Sequence, residues 1–237
     1  SRDGCDPVLG CVYTEEAVAF PCVPDCNGGV ADYVRCPGAD NVCTLDGCDP
    51  VAGVSNVETI VLFSEGFANN VQGWILGTEW EIGPAAASTG GQFGADPATD
   101  HTSGNDNGIA GVVIGGNASL VQHPYYYLES PAFDTTGSSR SLVLGFWRWL
   151  ISDYAPWMEN TVDVWDGSQW VNLFTSGGLP WIDDTPPRGD GWINFTHDVT
   201  AYSNAALRVR FGFNIAAAGV WQIGSWNLDD VVTRLFT

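Results

Sequence analysis

All seven cysteines of the chain, Cys5, Cys11, Cys22, Cys26, Cys36, Cys43 and Cys48, fall within its first 48 residues. Thiols this dense, in a segment with few large apolar residues to make a core, suit covalent stapling in an oxidising compartment. Zinc is the competing chemistry, but no histidine precedes His101, the CxxC spacing is absent, and Cys22 and Cys26 are the one close pair. Three disulfides are expected. The odd count leaves one sulfur as a free thiol, an interchain bond, or the mate of a cysteine further upstream. The segment also repeats itself: Asp3-Gly4-Cys5-Asp6-Pro7-Val8 recurs as Asp46-Gly47-Cys48-Asp49-Pro50-Val51, Gly10 and Gly53 correspond, and Val54 stands where the first copy has Cys11. The leader thus reads as one unit of a Cys-rich repeat and the beginning of a second.

Catalytic constellations do not emerge. The chain has no H-E-x-x-H, G-x-S-x-G, phosphate-binding glycine loop or dinucleotide fingerprint, and no thiol beyond Cys48. His101, His123 and His197 are scattered, and each reads as a hydrogen-bonded strand or loop residue before it reads as a base or ligand. Glycoside hydrolysis needs only two carboxylates, so 28 acidic residues do not exclude it by composition. Yet Asp183-Asp184 and Asp190 sit in a Gly/Pro-rich stretch where solvated acids are the default. A non-enzyme is expected.

Eleven tryptophans are the other unusual resource. Trp and Tyr present a flat apolar face with a polar edge, suited to stacking on sugar rings or anchoring a protein partner. Trp147, Trp149, Trp165, Trp170 and Trp226 fall in apparent strands and should be mostly core. Trp157 and Trp181 read as loop residues, within Tyr154-Ala155-Pro156-Trp157-Met158 and Leu179-Pro180-Trp181-Ile182, and are candidate binding residues. The run Tyr125-Tyr126-Tyr127 cannot place all its rings on one strand face, which makes Tyr126 a third candidate. The alternative for each ring is a lid folded onto the domain. Asn117-Ala118-Ser119 and Asn194-Phe195-Thr196 match the N-glycosylation sequon.

Charge narrows the partners. With 28 acidic residues against eight basic ones, all Arg, the formal charge is -20. Such a surface repels phosphate backbones and anionic lipid, so neither nucleic acid nor membrane insertion is expected. It suits divalent cations, a basic partner or a saline medium, and it also serves plain solubility. No apolar run approaches the roughly 18–20 residues of a membrane-spanning helix. The opening SRDGCDPV has no signal-peptide core, so for a secreted protein the signal would already have been removed.

The elements that must position these residues are strands. A Cys-rich leader over 1–54 gives way at 55–237 to short apolar and aromatic runs separated by Gly, Asn, Asp and Pro, with no sustained helical period. The pattern predicts strands over Val57–Phe63, Trp74–Ile82, Gly108–Ile114, Tyr125–Ser130, Leu142–Leu150, Thr161–Trp165, Trp170–Phe174, Trp192–His197, Ala206–Asn214, Val220–Ile223 and Leu228–Phe236. So many short strands fit an all-β fold of two packed antiparallel sheets. Alternation in Leu207-Arg208-Val209-Arg210-Phe211 puts Leu207, Val209 and Phe211 in the core and both arginines on the solvent face. Asp166-Gly167, between Val162–Trp165 and Trp170-Val171, signals a hairpin, because glycine accepts the positive φ a tight turn requires.

Four stretches across residues 62–236 carry a resemblance to a known family: Leu62-Phe63-Ser64-Glu65-Gly66-Phe67 followed by Gly73-Trp74; Asp96-Pro97-Ala98-Thr99-Asp100-His101-Thr102; Tyr127-Leu128-Glu129-Ser130-Pro131-Ala132-Phe133-Asp134; and Trp226-Asn227-Leu228-Asp229-Asp230-Val231. Together they resemble the MAM-type jelly roll and related bacterial adhesin modules, and the leader before them resembles in composition the Cys- and Asp-rich repeats of large bacterial surface proteins. The resemblance implies a two-sheet jelly roll used outside the cell for adhesion or recognition. The vertebrate disulfides do not carry over, since the sandwich has no cysteine. It further implies a cation site built from Glu65, Asp100 and the pair Asp229 and Asp230. First and last strands of a jelly roll are often neighbours, and carboxylates gathered there repel unless a hard cation neutralises them. Structural Ca2+ is the expected ion, and Asn107, in Asn105-Asp106-Asn107-Gly108, could add an oxygen ligand. Singly, such acids cap turns and face water.

Two functions stand in front. One is a secreted or surface recognition module that binds extracellular glycan or protein. The other is a structural subunit of an extracellular fibre or surface layer, assembling with copies of itself. An accessory domain of a secreted hydrolase is the third.

Overall fold

The computed structural model describes residues 4–6, 10–12, 42–49, 53–102, 104–137 and 140–236. Among these residues fifteen strands follow in order: β1 (Gly4–Asp6), β2 (Gly10–Val12), β3 (Val42–Asp49), β4 (Gly53–Glu65), β5 (Ile75–Leu76), β6 (Trp80–Pro84), β7 (Gly108–Val112), β8 (His123–Glu129), β9 (Ser141–Ser152), β10 (Met158–Trp165), β11 (Trp170–Thr175), β12 (Ile182–Asp183), β13 (Ile193–Asp198), β14 (Val209–Ile215) and β15 (Trp226–Phe236). Among the described residues the only helical element is a short 3-10 turn at Thr200–Tyr202. The chain divides into two compact units, Leu62–Leu235 and another formed by Ser1–Val61 with Phe236–Thr237.

The larger unit is an antiparallel sandwich of the expected jelly-roll kind. One sheet has the order β11-β10-β14-β8-β5. The other runs β12-β9-β15-β4, with β13 also on β9 and the β6–β7 pair joined to β15. First and last strands are therefore neighbours, as anticipated. Leu207, Val209 and Phe211 are fully buried, and Phe211 of the first sheet meets Phe146 at 5.0 Å and Trp226 at 5.8 Å from the second. Each such ring contributes about 1.5–3 kcal/mol by leaving water. The predicted hairpin is present, with Trp165 opposite Trp170. Gly167 has φ 99°, and Asp166 accepts hydrogen bonds from the backbone N–H groups of Ser168 and Gln169.

Three expectations change. The run Trp74–Ile82 is two strands, because the Gly77 N–H donates to the Tyr127 carbonyl at 2.8 Å and Glu79 turns the chain with φ 70°. Val220–Ile223 is a loop: Val220 and Ile223 are buried, but the Trp221 N–H donates to the Asp153 carboxylate instead of a ladder partner. A four-residue apolar run does not distinguish a strand from a buried loop. Of the five tryptophans assigned to the core, only Trp226 is buried. Trp147, Trp149, Trp165 and Trp170 are half-buried, while the buried positions go to Trp74 and Trp80.

In the smaller unit the two copies of the sequence repeat form matching ladders. Gly4 pairs with Val12, Cys5 with Cys11 and Asp6 with Gly10. Gly47 pairs with Ser55, Cys48 with Val54 and Asp49 with Gly53. Cys22, Cys26 and Cys36, and the sulfur atoms of the other four cysteines, lie outside the described residues.

Candidate functional site

Four separate connections of the sandwich carry aromatic residues that meet in one band. Trp181, from the β11–β12 connection, lies 4.9 Å from Phe93 of the β6–β7 connection. Phe93 meets Trp221 of the β14–β15 connection at 5.5 Å, Trp221 meets Tyr154 of the β9–β10 connection at 5.5 Å, and Tyr154 meets Trp157 at 4.7 Å. Such edge and tilted geometries are the favoured ones for ring pairs. Buried Asp153 fixes the centre of the band, accepting the Tyr154 N–H at 2.8 Å and the Trp221 N–H at 3.0 Å. Beneath it lies a small core of Ala118, Ile151, Met158, Ile215, Val220 and Ile223, against which Phe93, Trp157 and Trp221 pack.

The band unites two residues singled out in the sequence, Trp157 and Trp181, and separates them by exposure. Trp181 is 44% exposed, whereas Trp157 is half-buried and partly a lid. Tyr126 stands elsewhere, stacked on His123 at 4.0 Å and edge-on to Phe213. Phe93, Tyr154 and Trp221 were not singled out. Phe93 lies in the turn-like Gln92-Phe93-Gly94, but Trp221 lies in a run that reads as a strand, and nothing local says that these segments converge.

A second aromatic surface lies on the outer face of the β11-β10-β14-β8 sheet and has its own partners. The Arg210 guanidinium covers Tyr127 at 3.9 Å and Trp170 at 4.3 Å and pairs with Asp163 at 2.8 Å. Arg208 lies over Trp165 at 4.8 Å and pairs with Glu129. Burial and a hydrogen bond to Glu159 push the Tyr125 hydroxyl above its ordinary range. Ring faces here are already covered by cations.

The acids predicted to form a cation site are only partly gathered. Asp229 is buried and accepts the His101 N–H at 3.0 Å, the Thr102 N–H at 3.3 Å and the Asp230 N–H at 2.7 Å. Asp230, at φ 49°, holds the Thr102 hydroxyl and lies 2.9 Å from the Nδ1 of His101. His101 stacks on Trp147 with centroids 3.6 Å apart. One donor atom each from His101, Asp229 and Asp230 fall within 4.8 Å of one another. Burial first, and the Asp230 charge second, push the Asp229 carboxyl up to about 7. Partial burial, then Asp106 and Asp230, raise that of Asp100. Asn107 is a positive-φ residue, and its Oδ1 accepts the Asp100 N–H at 3.0 Å. Glu65 is buried with its oxygens on the Phe67 N–H at 2.8 Å and the Trp74 indole at 3.1 Å. Its neighbour Gly66 lies beside Asp230, whose Oδ1 would be 3.8 Å from a Cβ there.

Asp96, from the same central motif, anchors this loop. It is 4% exposed; its Oδ1 accepts the Ser225 N–H and the Asn227 amide, each at 2.8 Å. Burial raises its pKa from the ordinary 3.8. Asp183 and Asp184, considered above as a carboxylate pair, are both engaged: Asp183 with Arg188 at 3.0 Å and Asp184 with buried Arg148 at 3.0 Å.

No family model matches the chain, and no curated protein matches it. Among solved structures it is similar to TmCBM61 in complex with β-1,4-galactotriose (TM-score 0.40, 13% identity, 71% of this chain and 92% of that one). It is similar to SGBP-B from a complex xyloglucan utilization locus in Bacteroides uniformis (0.47, 14%, 82% of this chain and 56% of that one). It is also similar to the K1 cleaved adhesin domain of Lys-gingipain from Porphyromonas gingivalis W83 (0.39, 21%, 74% of this chain and 96% of that one). With TM-scores below 0.5, these likenesses carry no family, ligand or site over to this chain.

Proposed function

We propose that the chain is a non-catalytic recognition domain that works outside the cell, holding an extracellular glycan or protein through its aromatic band. The observation that carries this reading is the convergence of five rings from four connections, with Trp181 left 44% exposed at the end of the row. Loops placed by a rigid sandwich are where binding residues concentrate, and an aromatic on a rigid base anchors a partner at low entropic cost. Asp183 and Asp184 are engaged by Arg188 and Arg148, so these two carboxylates are tied to structural partners.

The test is Trp181→Ala, assayed for retention on immobilised extracellular polysaccharide and envelope protein alongside thermal melting. Binding should fall at least tenfold with Tm nearly unchanged. Trp157→Ala should lower Tm as well, because its ring packs on a buried core; its cost in stability should be less than the ~3–5 kcal/mol of a fully buried aromatic. If Trp181→Ala melts the fold and spares binding, the ring is packing and the reading fails.

We further propose that Ca2+ joins Asp229, Asp230 and Asp100 as a structural ion. The supporting observation is that donor atoms of His101, Asp229 and Asp230 lie within 4.8 Å of one another and that the Asp230 charge helps raise the Asp100 carboxyl, an arrangement that a hard oxygen-seeking cation relieves. At a hundredfold excess over Kd, an ion bound only by the folded state adds about 2.7 kcal/mol, or about 5–10 °C in Tm for a domain of this size. Calorimetry in Ca2+ against EDTA should show that difference, and its absence removes the ion from the account.

A further inference from the structure

Beside the band lies an open groove of about 420 Å³, with residues 91–94 on one wall and residues 183 and 185–188 on the other. That size is within the range of about 300–1,000 Å³ typical of small-ligand sites. Two glycines let its first wall come close to its neighbours. A Cβ on Gly91 would stand 2.0 Å from the Gln222 carbonyl oxygen, and one on Gly94 would stand 2.2 Å from Thr185 Cγ2. Gln92 further ties that wall to the Trp221 loop, its N–H donating to the Gln222 carbonyl at 2.9 Å.

Resting on the recognition reading above, we infer that this groove binds a neutral glycan, with Trp181 as the stacking platform and Arg188 as the hydroxyl donor. The chemistry of the walls selects that ligand. Trp181 packs on the wall residue Phe93 at 4.9 Å and, 44% exposed, keeps ring surface open for the C–H face of a sugar. Arg188 extends over Phe93, 5.6 Å from its centroid. Its Nη1 is tethered at 3.0 Å to Asp183, whose side chain is 1% exposed while that of Arg188 is 54% exposed. Asp183 also accepts the Thr185 N–H at 3.1 Å, which fixes the carboxylate that aims the arginine. The guanidinium has five N–H donors in a planar fork, so those beyond the tether remain to meet hydroxyl oxygens. The tether also decides charge. Arg188 and Asp183 cancel, and the chain carries -20 overall, so a uronate or sulfated polymer finds no uncompensated cation here and a repulsive field around it.

Native affinity electrophoresis in gels containing soluble β-glucan, mannan or galactan, against gels containing polygalacturonate or alginate, tests the inference. At least one neutral polymer should retard the protein and the anionic ones should not. Trp181→Ala and Arg188→Ala should each weaken that retardation at least tenfold. Asp183→Asn should weaken it several-fold by loosening Arg188, and Arg188→Lys should not restore it. Retardation by anionic polymers alone, or neutral retardation indifferent to Arg188→Ala, overturns the inference. If no neutral polymer retards the protein while Trp181→Ala still abolishes retention on envelope protein, the glycan inference falls and the recognition reading stands. If Trp181→Ala changes neither assay, both fall.

Discussion

At the scale of single residues, buried carboxylates position the loops. Asp153 holds the backbones of Tyr154 and Trp221, and Asp96 holds Ser225 and Asn227, so two acids lock the aromatic loop and the central motif onto the sandwich. Burial of Asp96 has a pH consequence. Its folded pKa lies above the ordinary 3.8, so between those values the folded state binds a proton that the unfolded state has released. The contribution of this group to stability is then full below about pH 4 and declines as pH rises through the folded value. Asp96→Asn removes the titration, and the difference in Tm between variant and wild type, measured from pH 3.5 to 8, should move in favour of the variant as pH rises. A difference that stays flat would mean that Asp96 ionises without cost. None of this was legible in the sequence, where Asp96 is one acid among 28 and its burial depends on Ser225 and Asn227, more than a hundred residues away.

At the scale of elements, the readable features were those with local causes. The hairpin at Asp166-Gly167 and the alternation of Leu207, Val209 and Phe211 are decided within a few residues, and both are present. The loop at Val220–Ile223 depended on distant Asp153 and was misread as a strand. The repeat in the smaller unit joins sequence to register: Cys11 faces Cys5 in the first ladder, and Val54 faces Cys48 in the second. Residues directly opposite in an antiparallel pair have Cα atoms about 4.5–5.5 Å apart, within the reach of a disulfide. Cys43 also faces a non-cysteine, Thr59, but only Cys48 stands at the repeat position whose first copy, Cys5, has a cysteine opposite it. Alkylation of the native protein followed by peptide mass mapping should find the odd thiol, or an interchain bond, at Cys48. Val54→Cys should remove that reactivity. Labelling at another cysteine, with Cys48 protected, would contradict the assignment.

At the scale of the whole molecule, an acidic sandwich without Lys presents one band of aromatic loops and one sheet face where rings are covered by arginine. The short apolar runs between turn residues foretold the all-β class, and the four matched stretches foretold the neighbouring first and last strands. Which tryptophans would stay available was decided by packing. Trp165 and Trp170 are covered by Arg208 and Arg210, while Trp181 keeps 44% of its surface open. The most direct measurement of the central claim compares Trp181→Ala with Trp170→Ala, each assayed for Tm and for retention on the same extracellular polymer and envelope protein. The account predicts opposite outcomes: Trp181→Ala loses binding and keeps Tm, whereas Trp170→Ala loses Tm and keeps binding per folded molecule. Retention abolished by Trp170→Ala and untouched by Trp181→Ala would place recognition on the sheet face and contradict the account.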